Sequence, residues 1–135
     1  MVDKYEKANG IQNVDIVDYS PTEKYDFVFA ISTLEHVGWD RDQREGDKIP
    51  LAVDRMKELL NRGGNMLVTV PMGFNSFLDQ FLETNALGFD QTQFMRRVSG
   101  VNEWVECGWD QVKGAKYNSP YNNANAIAIL KYRKS

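Results

Sequence analysis

The stretch Tyr25–Trp39, YDFVFAISTLEHVGW, decides the fold that this sequence predicts. Its first part, Tyr25–Ile31, contains the run Phe-Val-Phe-Ala-Ile, which is apolar at successive positions. A strand that is apolar on both faces is typical of a central parallel strand covered on each side. Polar residues follow at its carboxyl end: Ser32, Thr33, Glu35 and His36. Because ligands of open α/β sheets bind at that end of the strands, the stretch predicts a functional site.

Composition restricts the class of protein. The chain of 135 residues, 42% apolar and 26% charged, predicts one ordinary soluble domain. A net charge of −3 and a pI near 5.2 argue against nucleic acid or an anionic membrane as partner. The apolar runs are too short to span a bilayer, and the polar start, MVDKYEKANG, lacks a signal-peptide pattern. Cys107 is the single cysteine, which excludes a disulfide framework and favours a cytoplasmic location.

The rest of the chain alternates between predicted strands and helices. The first strands are predicted at Val14–Val17 and Tyr25–Ile31, and a helix follows that has Pro50 in its first turn and is closed by Gly63-Gly64. A strand at Met66–Val70 and a helix at Ser76–Glu83 come next. The last strands are predicted at Gln91–Val98 and Ala126–Tyr132, with a short strand at Trp104–Cys107 less clearly marked. The charged segment Asp40–Lys48 predicts an exposed loop. This series predicts an α/β fold with a mostly parallel sheet and an antiparallel C-terminal edge.

The only histidine, His36, lies about one turn beyond a strand end. A lone histidine is more often structural than catalytic, so both interpretations stay open. Without a second histidine or a nearby cysteine, a zinc site or a Cys/His nucleophile pair is not expected, and we predict no metal. Glu35 is either a base or the cap of a short helix.

Two acidic residues, Asp3 and Asp18, each follow apolar residues that resemble strand ends. In dinucleotide-type folds an acid at the end of the second strand accepts hydrogen bonds from ribose hydroxyls, whereas the alternative is a simple turn cap. Gly63-Gly64 follows a helix and precedes a strand, which is the reverse of the order in a phosphate-binding loop. We therefore interpret the two glycines as a turn.

These residues together resemble the class I S-adenosylmethionine-dependent methyltransferases, which have a Rossmann-like fold. YDFVFAISTLEHV is similar to the fourth-strand motif of that family, and MKELLNRGGNMLVTVP to its following helix, Gly-Gly turn and fifth strand. VDKYE resembles the acidic end of the second strand and DIVDYS the end of the third. ISTLEHVGWD and NEWVECGWDQVKGAKYNSPYNNANAIAI are similar to a small group of uncharacterised methyltransferase-domain proteins.

The resemblance implies roles toward the cofactor, S-adenosylmethionine, for four residues. Asp3 would bind the ribose hydroxyls of the cofactor. Asp18 would meet the adenine amino group, with the backbone of Tyr19 beside it. Ile31 would line the pocket near the methionine part.

The resemblance also implies an acceptor side, formed by His36 and Trp39. Methyl transfer needs alignment, and also a base if the acceptor must lose a proton; Glu35 and His36 are the candidate catalytic residues. Small-molecule, glycan and protein acceptors all stay open.

One part of the family pattern is missing. The first strand and its glycine-bearing loop should precede VDKYE, and the chain contains no G-x-G-x-x-G pattern. The expectation is therefore one N-terminally truncated domain over residues 1–135, weak or inactive as an enzyme. The Tyr25–Ile31 strand would then need a new neighbour, either Val14–Val17 or a second copy in a homo-oligomer.

Two alternatives to a methyltransferase remain. The chain could be a non-enzymatic Rossmann-like remnant that serves as an interaction or oligomerisation module. A nicotinamide-dependent oxidoreductase is disfavoured because it also needs the missing glycine loop.

Overall fold

The structure, a computed structural model, describes residues 1–40 and 44–135. Its helices and strands are β1 (Tyr25–Ile31), α1 (Lys48–Glu58), β2 (Leu60–Pro71), α2 (Ser76–Thr84), β3 (Gln91–Arg97), β4 (Trp104–Cys107) and β5 (Ala126–Arg133). Three short 3-10 helices lie at Ile16–Asp18, Leu34–His36 and Trp109–Gln111. The loop predicted over Asp40–Lys48 falls partly outside the described residues. Every helix in the described ranges is too short or too polar to span a lipid bilayer.

The five strands form one mixed sheet in the order β1-β2-β5-β3-β4. β1 and β2 are parallel, and the other three neighbouring pairs are antiparallel. The predicted α/β fold, with a parallel beginning and an antiparallel C-terminal part, is confirmed. The antiparallel part is larger than the predicted edge, because β5 inserts between β2 and β3 and leaves β4 as the outer strand.

The hydrophobic core lies on one face of this sheet. β2 alternates, so that Met66, Val68 and Val70 are buried on the core side. Both helices place their apolar stripes on the same core: Ile49, Ala52, Val53 and Met56 from α1, and Leu78 and Leu82 from α2. One sheet face is thereby covered by helices.

The other face is open along β1, which corrects one prediction. Val28 and Ala30 face the core, but Phe27, Phe29 and Ile31 are 61%, 65% and 55% exposed. The prediction of a central strand covered on both faces is wrong: β1 pairs with β2 alone among the described strands, and the face that carries these three side chains is exposed. The run is apolar on both faces, but only the face with Val28 and Ala30 is packed against the core.

The strand predicted at Val14–Val17 is also wrong. The chain forms a 3-10 turn at Ile16–Asp18 instead, and the carboxylate of Asp15 caps this turn by accepting the Val17 N–H at 3.3 Å. A side-chain acceptor placed two residues before a donor favours a turn over an extended strand. Upstream, only a single bridge, Val2–Gln12, has strand-like pairing. No part of residues 1–24 therefore pairs along β1.

The glycine pair has a different role from the predicted one. α1 begins at Lys48, so Pro50 lies in its first turn as predicted, and the helix ends before β2 starts at Leu60. Gly63-Gly64 lies within β2, where the register shifts from Tyr25–Leu60 to Phe27–Asn65 and the additional residues form a bulge. Gly63 has a φ of +78°, which suits glycine in a bulge of this kind.

Gly73, just after β2, lies against the backbone of the loop at residues 115–117, and a substitution there tests this close packing. Its φ is +77°, and a Cβ there would lie 2.2 Å from the Ala115 carbonyl oxygen. We expect Gly73→Ala to lower the free energy of unfolding by about 3 kcal/mol, because strain and a backbone clash add. Gly114→Ala is the matched control: its φ is +75° with no neighbour within 4 Å, and about 1 kcal/mol is expected. Equal losses in urea unfolding would contradict the prediction.

Candidate functional site

A cavity of about 420 Å³ opens at the carboxyl end of β1. Its size lies within the range of small-molecule sites, roughly 300–1,000 Å³. The N-terminal loop, the segment before the first 3-10 turn, the residues after β1 and the start of α1 form the walls. The polar lining residues include Asp3, Asp15, Ser32, Thr33, His36 and Lys48, and the apolar ones Val2, Val14, Ile16 and Val37.

Asp3 lies in the wall of this cavity with its carboxylate held by the loop that follows it. Its Oδ1 accepts the backbone N–H of Tyr5 at 2.8 Å and of Glu6 at 2.7 Å. These two bonds lower the pKa of Asp3, so the group is ionised at neutral pH. An ionised carboxylate in a cavity can accept hydrogen bonds from ligand hydroxyls.

Asp15 is a cavity residue that the sequence analysis missed. Its carboxylate lies 2.6 Å from the Lys48 ammonium and 2.9 Å from that of Lys4. Burial alone would raise the pKa of Asp15, but hydrogen bonds from Lys48, Lys4 and the Val17 amide outweigh it and lower the pKa to about 2. Asp15 thus ties the N-terminal loop to α1. The partners are far apart along the chain, so local patterns carry no signal for this contact.

His36 faces the same cavity and is oriented by a carboxylate. Its Nδ1 lies 3.0 Å from Asp40 Oδ1, while its Nε2 is 3.8 Å from Glu35 Oε1, too far for a hydrogen bond. The ring edge contacts Phe74, with centroids 5.0 Å apart. If Nδ1 carries the proton shared with Asp40, Nε2 keeps a lone pair and can accept a proton.

Glu35 is buried behind His36 and does not line the cavity. Only 2% of the residue is exposed, and burial raises the pKa of its carboxyl to about 7. Within the described residues Oε2 has no hydrogen-bond partner. The Glu35 carbonyl accepts from the side chain of Asn75, whose amide oxygen also caps α2 at Phe77 and Leu78. The backbone of Glu35 therefore fixes the turn after β1 to α2.

Asp18 and Tyr19 lie apart from this cavity. They line a second, shallower depression formed by the residues before β1. The hydroxyl of Tyr19 is hydrogen bonded to that of Tyr25 at 2.7 Å. Neither residue lines the cavity that contains Asp3.

Ile31 and Trp39 also lie outside the cavity lining. The side chain of Ile31 is on the open face of β1. Trp39 packs edge-on against Phe77 with centroids 5.9 Å apart, and the Arg44 guanidinium stacks over its indole at 4.2 Å. Of the predicted site residues, the structure brings together Asp3 and His36 in one cavity.

Comparison with known proteins gives structural similarity only. No protein family and no curated protein matches the sequence. Among solved structures, the N-methyltransferase NodS from Bradyrhizobium japonicum WM9, in complex with S-adenosyl-L-homocysteine, is similar with a TM-score of 0.52 and 11% identity, covering 92% of this chain and 53% of NodS. The fold is that of the Rossmann-like methyltransferases.

A second solved structure supports the same fold. TehB from Haemophilus influenzae is similar with a TM-score of 0.53 and 16% identity, over 93% of this chain and 41% of TehB. The chain therefore spans about half the length, or less, of the methyltransferase-fold structures that it matches.

The buried carboxyl of Glu35 predicts a pH dependence of stability. Because its pKa in the folded state is raised to about 7 from 4.5, its stabilising contribution is complete below about pH 4.5 and is lost as pH rises through 7. We expect Glu35→Gln to remove this dependence. The difference in the free energy of unfolding between the variant and the unmodified protein should therefore change by roughly 2 kcal/mol between pH 5 and pH 8. Urea unfolding at several pH values measures it. Glu103→Gln, at an exposed position, is the control, and parallel pH curves for all three proteins would contradict the prediction.

Proposed function

We propose that the protein is an S-adenosylmethionine-dependent methyltransferase-like protein that binds the S-adenosyl group in the cavity beside Asp3 and His36. The observation that carries this proposal is the position of the cavity at the carboxyl end of β1 in a methyltransferase fold. NodS, whose structure is similar, was solved with S-adenosyl-L-homocysteine.

The cavity fits the nucleoside part of the ligand. Its apolar wall, with Val2, Val14 and Ile16, suits an adenine ring. Asp3 supplies an ionised acceptor for the ribose hydroxyls; Oδ1 is used by the loop amides, and we assign Oδ2 to the ligand. Ser32 adds a hydroxyl at the end of β1. Asp3 and Ser32 therefore supply hydrogen-bond partners for the ribose, and the apolar wall supplies a surface for the adenine ring.

The methionine part of the ligand has less support from this chain. The sequence contains no G-x-G-x-x-G loop to bring backbone amides against it. The assignment of Ile31 to this part requires the ligand to reach the open face of β1. Asp18 and Tyr19 can bind the adenine only if the ligand extends over the first 3-10 turn into the second depression. We therefore propose weak binding and low or no transferase activity for the 135 residues alone.

The acceptor side has one accessible base. The bound cofactor would supply an electrophilic methyl group, and the residues would supply alignment and proton acceptance. His36, oriented by Asp40, is the candidate base because its ring faces the cavity. Glu35, the other candidate base, lies 3.8 Å from His36 Nε2 and does not line the cavity. Trp39 is assigned to the acceptor side. We propose a small molecule or a glycan as acceptor in a cytoplasmic protein, with no nucleic acid or membrane partner.

A second candidate function rests on a separate observation. The exposed apolar side chains of β1 favour a non-enzymatic Rossmann-like remnant that acts as an interaction or oligomerisation module. This candidate needs no cofactor, so ligand binding distinguishes it from the first.

Calorimetric titration with S-adenosyl-L-homocysteine tests the proposal. We expect a dissociation constant between about 10 μM and 1 mM. Asp3→Asn keeps the Oδ1 acceptor of the loop but removes the charge, and it should weaken binding about tenfold. Asp110→Asn, on an exposed carboxylate outside the cavity, should leave the affinity unchanged.

Two results would contradict the proposal. The first is the absence of any heat of binding up to about 5 mM ligand. The second is a dissociation constant that Asp3→Asn leaves unchanged. The absence of binding would favour the interaction module.

If the ligand binds, Asp18→Asn tests how far it extends. An unchanged affinity would show that the bound ligand occupies only the cavity beside Asp3.

A further inference from the structure

The outer edge of β1 carries unpaired backbone groups. At the end of the strand the Ser32 N–H donates to the Thr69 carbonyl of β2 at 2.9 Å. Backbone groups alternate in direction along a strand, so those of Phe27, Phe29 and Ile31 point away from β2. Among the described residues no strand lies on that side. An edge of this kind is a template for pairing with another strand.

The side chains on β1 do not protect this edge. Phe27 and Phe29 stack on each other, with centroids 6.1 Å apart, on the open face of the sheet. The strand contains no lysine or proline, the residues that commonly block edge pairing. Its one charged residue, Asp26, accepts a hydrogen bond from the Asn61 side chain at 2.9 Å. The edge is therefore apolar and close to neutral.

The sequence of β1 is complementary to itself. It reads Tyr-Asp-Phe-Val-Phe-Ala-Ile, which is nearly symmetric about Val28. A twofold axis at Val28 would place two β1 strands antiparallel, with Phe27 of each copy opposite Phe29 of the other. The backbone groups of both phenylalanines point outward, so each such pair can exchange two hydrogen bonds. Aromatic side chains directly opposite each other stabilise antiparallel strands further.

The other edge of the sheet is a poorer candidate. β4 has four residues, and its sequence Trp-Val-Glu-Cys contains a charged Glu106. A twofold axis at Val105 would place Trp104 opposite the charged Glu106 of the other copy. This edge offers neither the length nor the aromatic pairs of β1.

We propose that two copies of this chain form a dimer by antiparallel pairing of their β1 strands about a twofold axis at Val28. The partner of the β1 edge is thus the β1 strand of a second copy, because the sequence of this strand is complementary to itself. Pairing of one strand from each copy buries less surface than a standard interface, so the dimer is weak and depends on concentration.

Sedimentation equilibrium of the 135-residue chain tests this proposal. We expect a monomer–dimer equilibrium in the micromolar range. Phe29→Lys should weaken the dimer at least tenfold, because it removes both cross-strand Phe27–Phe29 pairs and places two lysines diagonally across the axis. Val105→Lys, a lysine substitution on the other edge strand, should leave the dimer dissociation constant unchanged. Circular dichroism confirms that both variants are folded. A monomer at about 0.5 mM, or a dimer sensitive only to Val105→Lys, would overturn the proposal.

A cross-linking experiment tests the register. Val28 would face its own copy in a pair without backbone hydrogen bonds, where the Cα atoms are about 4.5 Å apart and a disulfide fits. In a Cys107→Ser background, Val28→Cys should give a disulfide-linked dimer on mild oxidation, and Phe29→Cys should give much less. The reverse order would overturn the axis at Val28. Neither experiment involves a cofactor, so this proposal and the proposed function can fail separately.

Discussion

Parallel pairing with β2 holds β1 in the sheet along one side only. The register runs from Phe27–Asn65 to Ile31–Thr69, and the Ser32 N–H extends it to the strand end. This pairing places the turn after β1 at the edge of the cavity. It also leaves the opposite side of β1 without a neighbour in the described chain. The candidate ligand site and the candidate dimer edge are consequences of the same arrangement.

A second constraint holds the N-terminal loop in place. Asp15 accepts from Lys4 in that loop and from Lys48 at the start of α1, and it caps the turn between them. This loop has little regular structure of its own, so these charge-assisted bonds replace strand pairing. They keep Asp3 in the cavity wall opposite His36. The site is therefore assembled by side-chain contacts, and the sheet provides only one of its walls.

Local patterns predicted several elements well because those elements depend on local periodicity. The bounds of β1 and β4 agree with the prediction, and α2 differs by one residue, since it has a clear cap and apolar stripe. The strand predicted at Val14–Val17 failed because the side chain of Asp15 outweighed a short β-branched pattern. Asp3 and His36 were both selected because they follow apolar segments, and the structure places both in the wall of one cavity. Asp15 was not predictable, because Lys48 lies far from it in sequence.

By itself, the sequence determined the order of the helices and strands from Tyr25 onward, the one-sided stripes of the helices and the polar turn after β1. It could not determine whether β1 is central or at an edge, since an apolar run looks the same in both positions. Only the tertiary structure decided this, through the insertion of β5 beside β2 and the folding of the N-terminal segment into turns. Tertiary contacts likewise buried Glu35 while exposing Phe27 and Phe29. The reason is physical: periodicity records which side of an element is apolar, whereas burial depends on which other elements reach that side.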